Sequence, residues 1–188
     1  MTESTTEDQL ILEKIRDIET RNYGFNLLVR QYHKRVYWMV RKMVIDHDDA
    51  DDITQDVFIK IHKNINGFRE DSRLFTWIYR IATNECLSFL RSKRRKFFLP
   101  LHDVERELGQ KIDSGIGMNG DEIERHLQKA LLTLPEKQRL VFNMRYFEEM
   151  PYEDIAEVTG TSVGALKASH HHAMRKIEEY FEKEPKLE

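Results

Sequence analysis

The stretch that decides the fold is Tyr152 to Ile177, YEDIAEVTGTSVGALKASHHHAMRKI. A short amphipathic piece, a glycine and a longer amphipathic piece make the pattern of a helix-turn-helix. Gly160 suits the left-handed backbone that ends the first helix, and Thr161 or Ser162 can cap the second. Because each helical residue advances about 100°, Val163, Leu166, His170, Ala173, Ile177 and Tyr180 or Phe181 share one side, which the apolar residues mark as the buried one. Lys167, Ala168, Ser169, His171, His172, Arg175 and Lys176 spread over a polar, basic remainder.

Three adjacent histidines splay around a helix. They cannot aim at one ion, which on a helix requires spacings such as i, i+4, so no metal site is expected. Their internal position also excludes a purification tag. One reading is an inert solvated face with a single packed histidine. The other is a face that reads DNA, since the second helix of this motif enters the major groove and its histidine, serine and lysine can bond bases or phosphates. Position in the motif favours the second.

Outward from this stretch, Pro135 starts a helix and Leu134 closes the one before it. Residues 122–188 thus hold four helical pieces. Residues 97–121 carry one proline and four of the eight glycines and have no apolar periodicity beyond a possible helical turn near Val104 to Leu108. They read as a tether. In residues 1–96, Phe25, Leu28, Tyr32, Val36, Val40 and Met43 recur at helical spacing, as do Ile53, Val57 and Ile61, and then Leu74, Ile78, Ile81 and Cys86 or Phe89. A short opening helix on Ile11, Ile15 and Ile18 is expected before them. The chain is therefore expected to be all-α, with two small helical domains at 1–96 and 122–188 joined by a flexible linker at 97–121.

A single cysteine, Cys86, excludes an internal disulfide and a multi-cysteine zinc site, and suits a reducing cytoplasm. No leader pattern opens the chain and no window approaches a membrane span, so a cytoplasmic protein without membrane insertion is expected. No phosphate loop, zinc-protease motif or nucleophile elbow is present. No catalytic residues and no cofactor are therefore assigned, and the chain is not read as an enzyme. The net charge of −3 argues against a nucleic-acid partner only until it is resolved along the chain. Residues 1–96 hold 18 basic and 15 acidic side chains, and five of the cations crowd into RSKRRK, Arg91 to Lys96. That run is either a solvated helix end or a phosphate-binding patch through Arg91, Arg94 and Arg95, and its place after an aromatic helix favours the patch. Phe75, Trp77 and Tyr79 on that helix suit stacking on single-stranded bases, although Trp77 also falls near the core side.

Two blocks in order, DADDITQDVFIKIHKNINGFREDSRLFTWIYRIATNECLSFLRSKRR (49–95) and LPEKQRLVFNMRYFEEMPYEDIAEVTGTSVGALKASHHHAMRKI (134–177), resemble bacterial sigma factors of the sigma-70 family, in the two-domain extracytoplasmic-function group. The resemblance implies that Asp52, Gln55, Asp56 and Phe58 dock on the coiled coil of the core RNA polymerase β′ subunit, with β a further partner. Asp48 and Asp49 are read as helix capping alone. It implies a base flipped out of the minus-10 element into the loop from Gly67 to Phe75, with Lys60, Phe68 and Asn84 lining its pocket. It assigns minus-35 reading to Lys167, Ala168, Ser169, His171, His172 and Arg175, with Arg145, Tyr152 and Glu153 near the groove edge. Ala168 and Ser169 stand where serine then arginine is commoner, and His170 where an aliphatic or aromatic residue is commoner, which leaves the upstream sequence open. Promoter DNA and an anti-sigma factor are the further implied partners. A conventional helix-turn-helix regulator, binding DNA without polymerase, is the alternative reading.

Overall fold

The computed structural model describes residues 3–97 and 122–183. Residues 98–121 of the tether, including Val104 to Leu108, lie outside the described residues, as do the side chains of Arg94 and Arg95; Phe97, expected to open the tether, ends a helix instead. The helices are α1 (Glu3–Arg16), α2 (Arg21–Val44), α3 (His47–Asn64), α4 (Leu74–Phe97), α5 (Glu122–Leu132), α6 (Glu136–Tyr146), α7 (Tyr152–Thr159) and α8 (Val163–Lys183), with a single 3-10 turn at Ile65–Gly67. No strand occurs among the described residues.

The N-terminal helices follow the apolar stripes. Leu28, Tyr32, Val36, Val40 and Met43 of α2 meet Ile53, Val57 and Ile61 of α3 and Leu74, Ile78 and Cys86 of α4 in one buried cluster. The Asp46 carboxylate caps α3 by accepting the Asp49 N–H at 3.1 Å, and Asp48 and Asp49 sit in the first turn, where the helix dipole favours them. In α1, Ile11 and Ile15 are buried as expected, but Ile18 is 81% exposed because the helix has ended at Arg16, and Leu12 takes the third inner place. Gly24 lets α1 cross closely: a Cβ there would stand 2.7 Å from the Ile15 nitrogen and 2.8 Å from the Lys14 carbonyl carbon. Burial pushes the Cys86 thiol up to about 12, so this cysteine is a packing residue.

The C-terminal helices have a small core of their own, in which Ala130, Leu131, Leu134 and Phe142 meet Ala173 and Ile177. Their other apolar residues, Leu140, Val141, Met144, Met150, Ile155, Val158 and Leu166, join the cluster of α1–α4. α7 packs along α4 and α6 against α2. The cause is visible in α6, where every residue from Arg139 to Met144 is buried. A helix apolar on more than one side needs neighbours on more than one side.

Gly24→Ala should cost about 1–3 kcal/mol, the range for overpacking against atoms that cannot yield. A lowered thermal midpoint with early proteolysis inside α1 is the expected result; an unchanged midpoint would contradict the close crossing.

Candidate polymerase and nucleic-acid interfaces

The first surface is an open groove of about 610 Å³ between α2 and α3. Asp52 and Gln55 line its rim, and Phe58, only 8% exposed, forms part of its floor with its ring stacked on His33 at 5.7 Å. Asp56 is exposed on the same helix, outside the lining residues. Phe25, Val29 and His33, spaced by four along α2, supply the opposite wall. Phe25, expected on the inner stripe of α2, is only half-buried and belongs to this wall instead. An apolar floor under exposed carboxylates fits a helical partner with a basic, partly apolar face.

The second surface surrounds the loop from Gly67 to Arg73. Phe68 is buried against Trp77, with ring centroids 5.2 Å apart. Glu70 holds a positive φ of 60° and pairs with Arg16 of α1, so α1 braces this loop. Lys60 forms a 2.5 Å ion pair with Glu85, and Asn84 is exposed one residue away on α4. Arg91 is exposed and donates from Nε to the Leu87 carbonyl at 3.1 Å. The aromatic row divides. Phe75 is half-buried with the Arg35 guanidinium 4.4 Å from its centroid, Trp77 is half-buried, and Tyr79 is fully buried. Burial, then the adjacent Glu148 carboxylate, push the Tyr79 hydroxyl well above the usual phenol range.

The third surface is the helix-turn-helix, α7 and α8. Gly160 takes φ 67°, and the Ser162 hydroxyl accepts the Ala165 N–H at 3.4 Å, so serine rather than threonine makes the cap. Leu166, Ala173 and Ile177 are buried, while Lys167, Ala168, His171, His172 and Arg175 are exposed and Ser169 is half-buried. Glu153 is exposed at the start of α7. Arg145 and Lys167 stand 5.5 and 5.8 Å from the centroid of Tyr152, so α6, α7 and α8 meet at that ring. No group of three or more metal-ligating side chains forms among the described residues.

Against this geometry, residues 28–96 match the model for sigma-70 region 2, and residues 124–177 match that for sigma-70 region 4. The RNA polymerase sigma-H factor of Pseudomonas aeruginosa is 30% identical over 182 residues, covering 92% of each chain. The chain belongs to the sigma-70 family. Its extracytoplasmic-function group is marked by the sigma-E factor of that group from Haemophilus influenzae, also 30% identical, over 91% of this chain and 93% of the relative. Two solved structures share the fold. CnrH in complex with the cytosolic domain of CnrY has a TM-score of 0.70 at 20% identity, covering 95% of this chain and 99% of that one. The sigma factor RpoE of Bartonella quintana in complex with the anti-sigma factor NepR has a TM-score of 0.66 at 21% identity, covering 86% and 98%.

As a sigma factor the chain directs RNA polymerase to promoters, which sets aside the conventional regulator. Its region 2 is α2–α4, and its region 4 is α5–α8. The two regions lie against each other. The Tyr79 hydroxyl donates to Glu148 at 2.7 Å, Lys42 stands 3.7 Å from the same carboxylate, and Arg80 Nε donates to the Glu157 carbonyl at 3.1 Å. Asn84 of region 2 and Ser169 of region 4 line one cavity of about 240 Å³.

Glu148→Lys would place two ammonium groups together in a site where the native side chains are 16% and 11% exposed. Loss of a buried partner is costly. The radius of gyration of the sigma factor by small-angle scattering should rise with helix content unchanged; an unaltered radius would show that Glu148 does not hold the regions together.

Proposed function

We propose that the two regions divide the work of promoter opening between named side chains. Asp52, Gln55 and Asp56 engage a basic helical surface of core polymerase β′ above the Phe58 floor, with β contacted elsewhere. The segment from Gly67 to Phe75, with Lys60, Phe68 and Asn84, receives an unpaired base of the minus-10 element, and Arg91, Arg94 and Arg95 hold the adjoining phosphates. Lys167, Ala168, Ser169, His171, His172 and Arg175 face the minus-35 groove, with Arg145, Tyr152 and Glu153 at its edge. The domain units are 1–96 and 122–188. The chain itself performs no chemistry and needs no cofactor, since capture of a transiently open base requires no bond to be made. It acts in the cytoplasm; no described helix is long and apolar enough to cross a membrane.

The observation that carries this reading is the acidic rim over an apolar floor on α3, separated in the fold from the helix-turn-helix. In the closed arrangement Asn84 and Ser169 share a cavity. Promoter elements two helical turns apart are about 70 Å apart. Productive binding therefore requires the regions to part, and the 25 residues from 97 to 121 can extend to about 80 Å, which spans the gap. An anti-sigma factor, the kind of partner named for NepR in its complex with RpoE, would act by holding the regions closed.

Replacing Asp52 and Asp56 together by lysine should weaken binding to purified core polymerase by at least about tenfold, as for reversed charges at an electrostatic interface. Circular dichroism should be unaltered. Affinity equal to the wild type would remove α3 from the docking surface.

A further inference from the structure

His170 is the one histidine of the triplet that turns inward, and it stands where three helices meet. Its ring stacks on Phe142 of α6 at 5.9 Å and 28°, and meets Tyr152 of α7 edge-on at 6.1 Å and 69°. Its Nδ1 lies 3.0 Å from the Tyr152 hydroxyl. The same tyrosine ring has the Arg145 guanidinium 5.5 Å and the Lys167 ammonium 5.8 Å from its centroid. Arg145 is tethered further by Nη1 donating to the Met150 carbonyl at 3.4 Å. The charged or titratable groups facing His170 are therefore Arg145 from α6, Tyr152 from α7, and Lys167 one turn back on α8 itself. Burial, then Arg145, lower the His170 pKa, so the imidazole is neutral at pH 7 and offers one acceptor nitrogen.

We propose that His170 is a positioning residue for reading the upstream promoter element: by hydrogen-bonding the Tyr152 hydroxyl through Nδ1 it fixes the ring against which Arg145 and Lys167 rest, and so fixes where those cations meet DNA. The inference rests on the proposed reading of that element by α8. A cation beside a half-buried aromatic ring such as Tyr152 is held only weakly, and long side chains lose much rotamer freedom when ordered. A ring fixed at its hydroxyl end, as well as at its backbone, reduces what remains to be ordered when DNA arrives. An aliphatic or phenyl side chain at position 170 could keep the packing on Phe142 but could not accept this hydrogen bond. The polar link is therefore what His170 adds beyond core filling. His171 and His172 are both exposed, with rings 6.1 Å apart, and take no part in it.

The test uses the full chain with core polymerase and a duplex library randomised across the upstream element, with the downstream element held constant. The readout is the enrichment profile for wild type, His170→Phe, Tyr152→Phe, the double variant and His170→Gln, with unfolding midpoints measured alongside. His170→Phe and Tyr152→Phe should each reduce discrimination among upstream sequences by about three- to tenfold, the scale of one hydrogen bond. The double variant should lose no more than either single one, because both break the same link. His170→Gln, whose amide can accept the hydroxyl, should restore most of the discrimination. Wild-type profiles in the Tyr152→Phe variant, or losses that multiply in the double variant, would overturn the proposal, and the Tyr152→Phe outcome decides it even if His170→Phe fails to fold. A wild-type complex with no upstream preference would instead overturn the reading of α8, and this inference with it.

Discussion

A tyrosine with no exposed surface needs a partner for its hydroxyl, and in this chain that partner comes from the other half of the molecule. Tyr79 belongs to α4, and Glu148, which accepts its hydrogen bond, follows α6. Lys42 of α2 balances the carboxylate and lies 4.1 Å from the Phe147 centroid, so one polar knot ties three elements. Around it Met144, Met150 and Ile155 complete an apolar cluster that the N-terminal helices would otherwise leave open. α4 therefore serves two masters: it closes the core of region 2 and gives region 4 a surface to lie on.

That constraint orders the functional surfaces. The groove between α2 and α3 remains accessible in the closed arrangement, whereas Asn84 and Ser169, from the two proposed DNA-reading faces, border a common cavity. In the proposed mechanism, docking on polymerase and parting of the regions are thus separable steps. Arg73 reaches Asp154 at 3.3 Å; the arginine side chain is 66% exposed and the aspartate 12%, so solvent screens the pair from the arginine side only. The apolar cluster and the Tyr79–Glu148–Lys42 knot are the buried contacts between the regions that the proposed opening has to break.

Most of the local structure was legible in the sequence because it is set by local physics. The apolar stripes of α2, α3 and α4, the left-handed turn at Gly160, the inward place of His170 and the outward place of His171 and His172 all follow from helical geometry and backbone preference. The packing of one region on the other was not legible. Six successive buried residues in α6 carry no single-face period, and a buried Tyr79 looks like an aromatic available for stacking until its partner, 69 residues away, is seen. Of the candidate site, the composition of the α3 rim could be read directly. The wall of Phe25, Val29 and His33 opposite it, the Arg16–Glu70 brace and the Tyr152–His170 link depend on helices meeting in space.

In the proposed mechanism one chain reads two distant stretches of DNA by opening a seam that is closed in isolation. The distance between spin labels at Ser88 and Thr161, which flank the cavity shared by α4 and the helix-turn-helix, addresses it most directly. A short distance is expected in the isolated chain and one of about 70 Å on promoter-bound core polymerase, set by two turns of DNA. The same short distance in both states, with promoter-specific transcription intact, would contradict it.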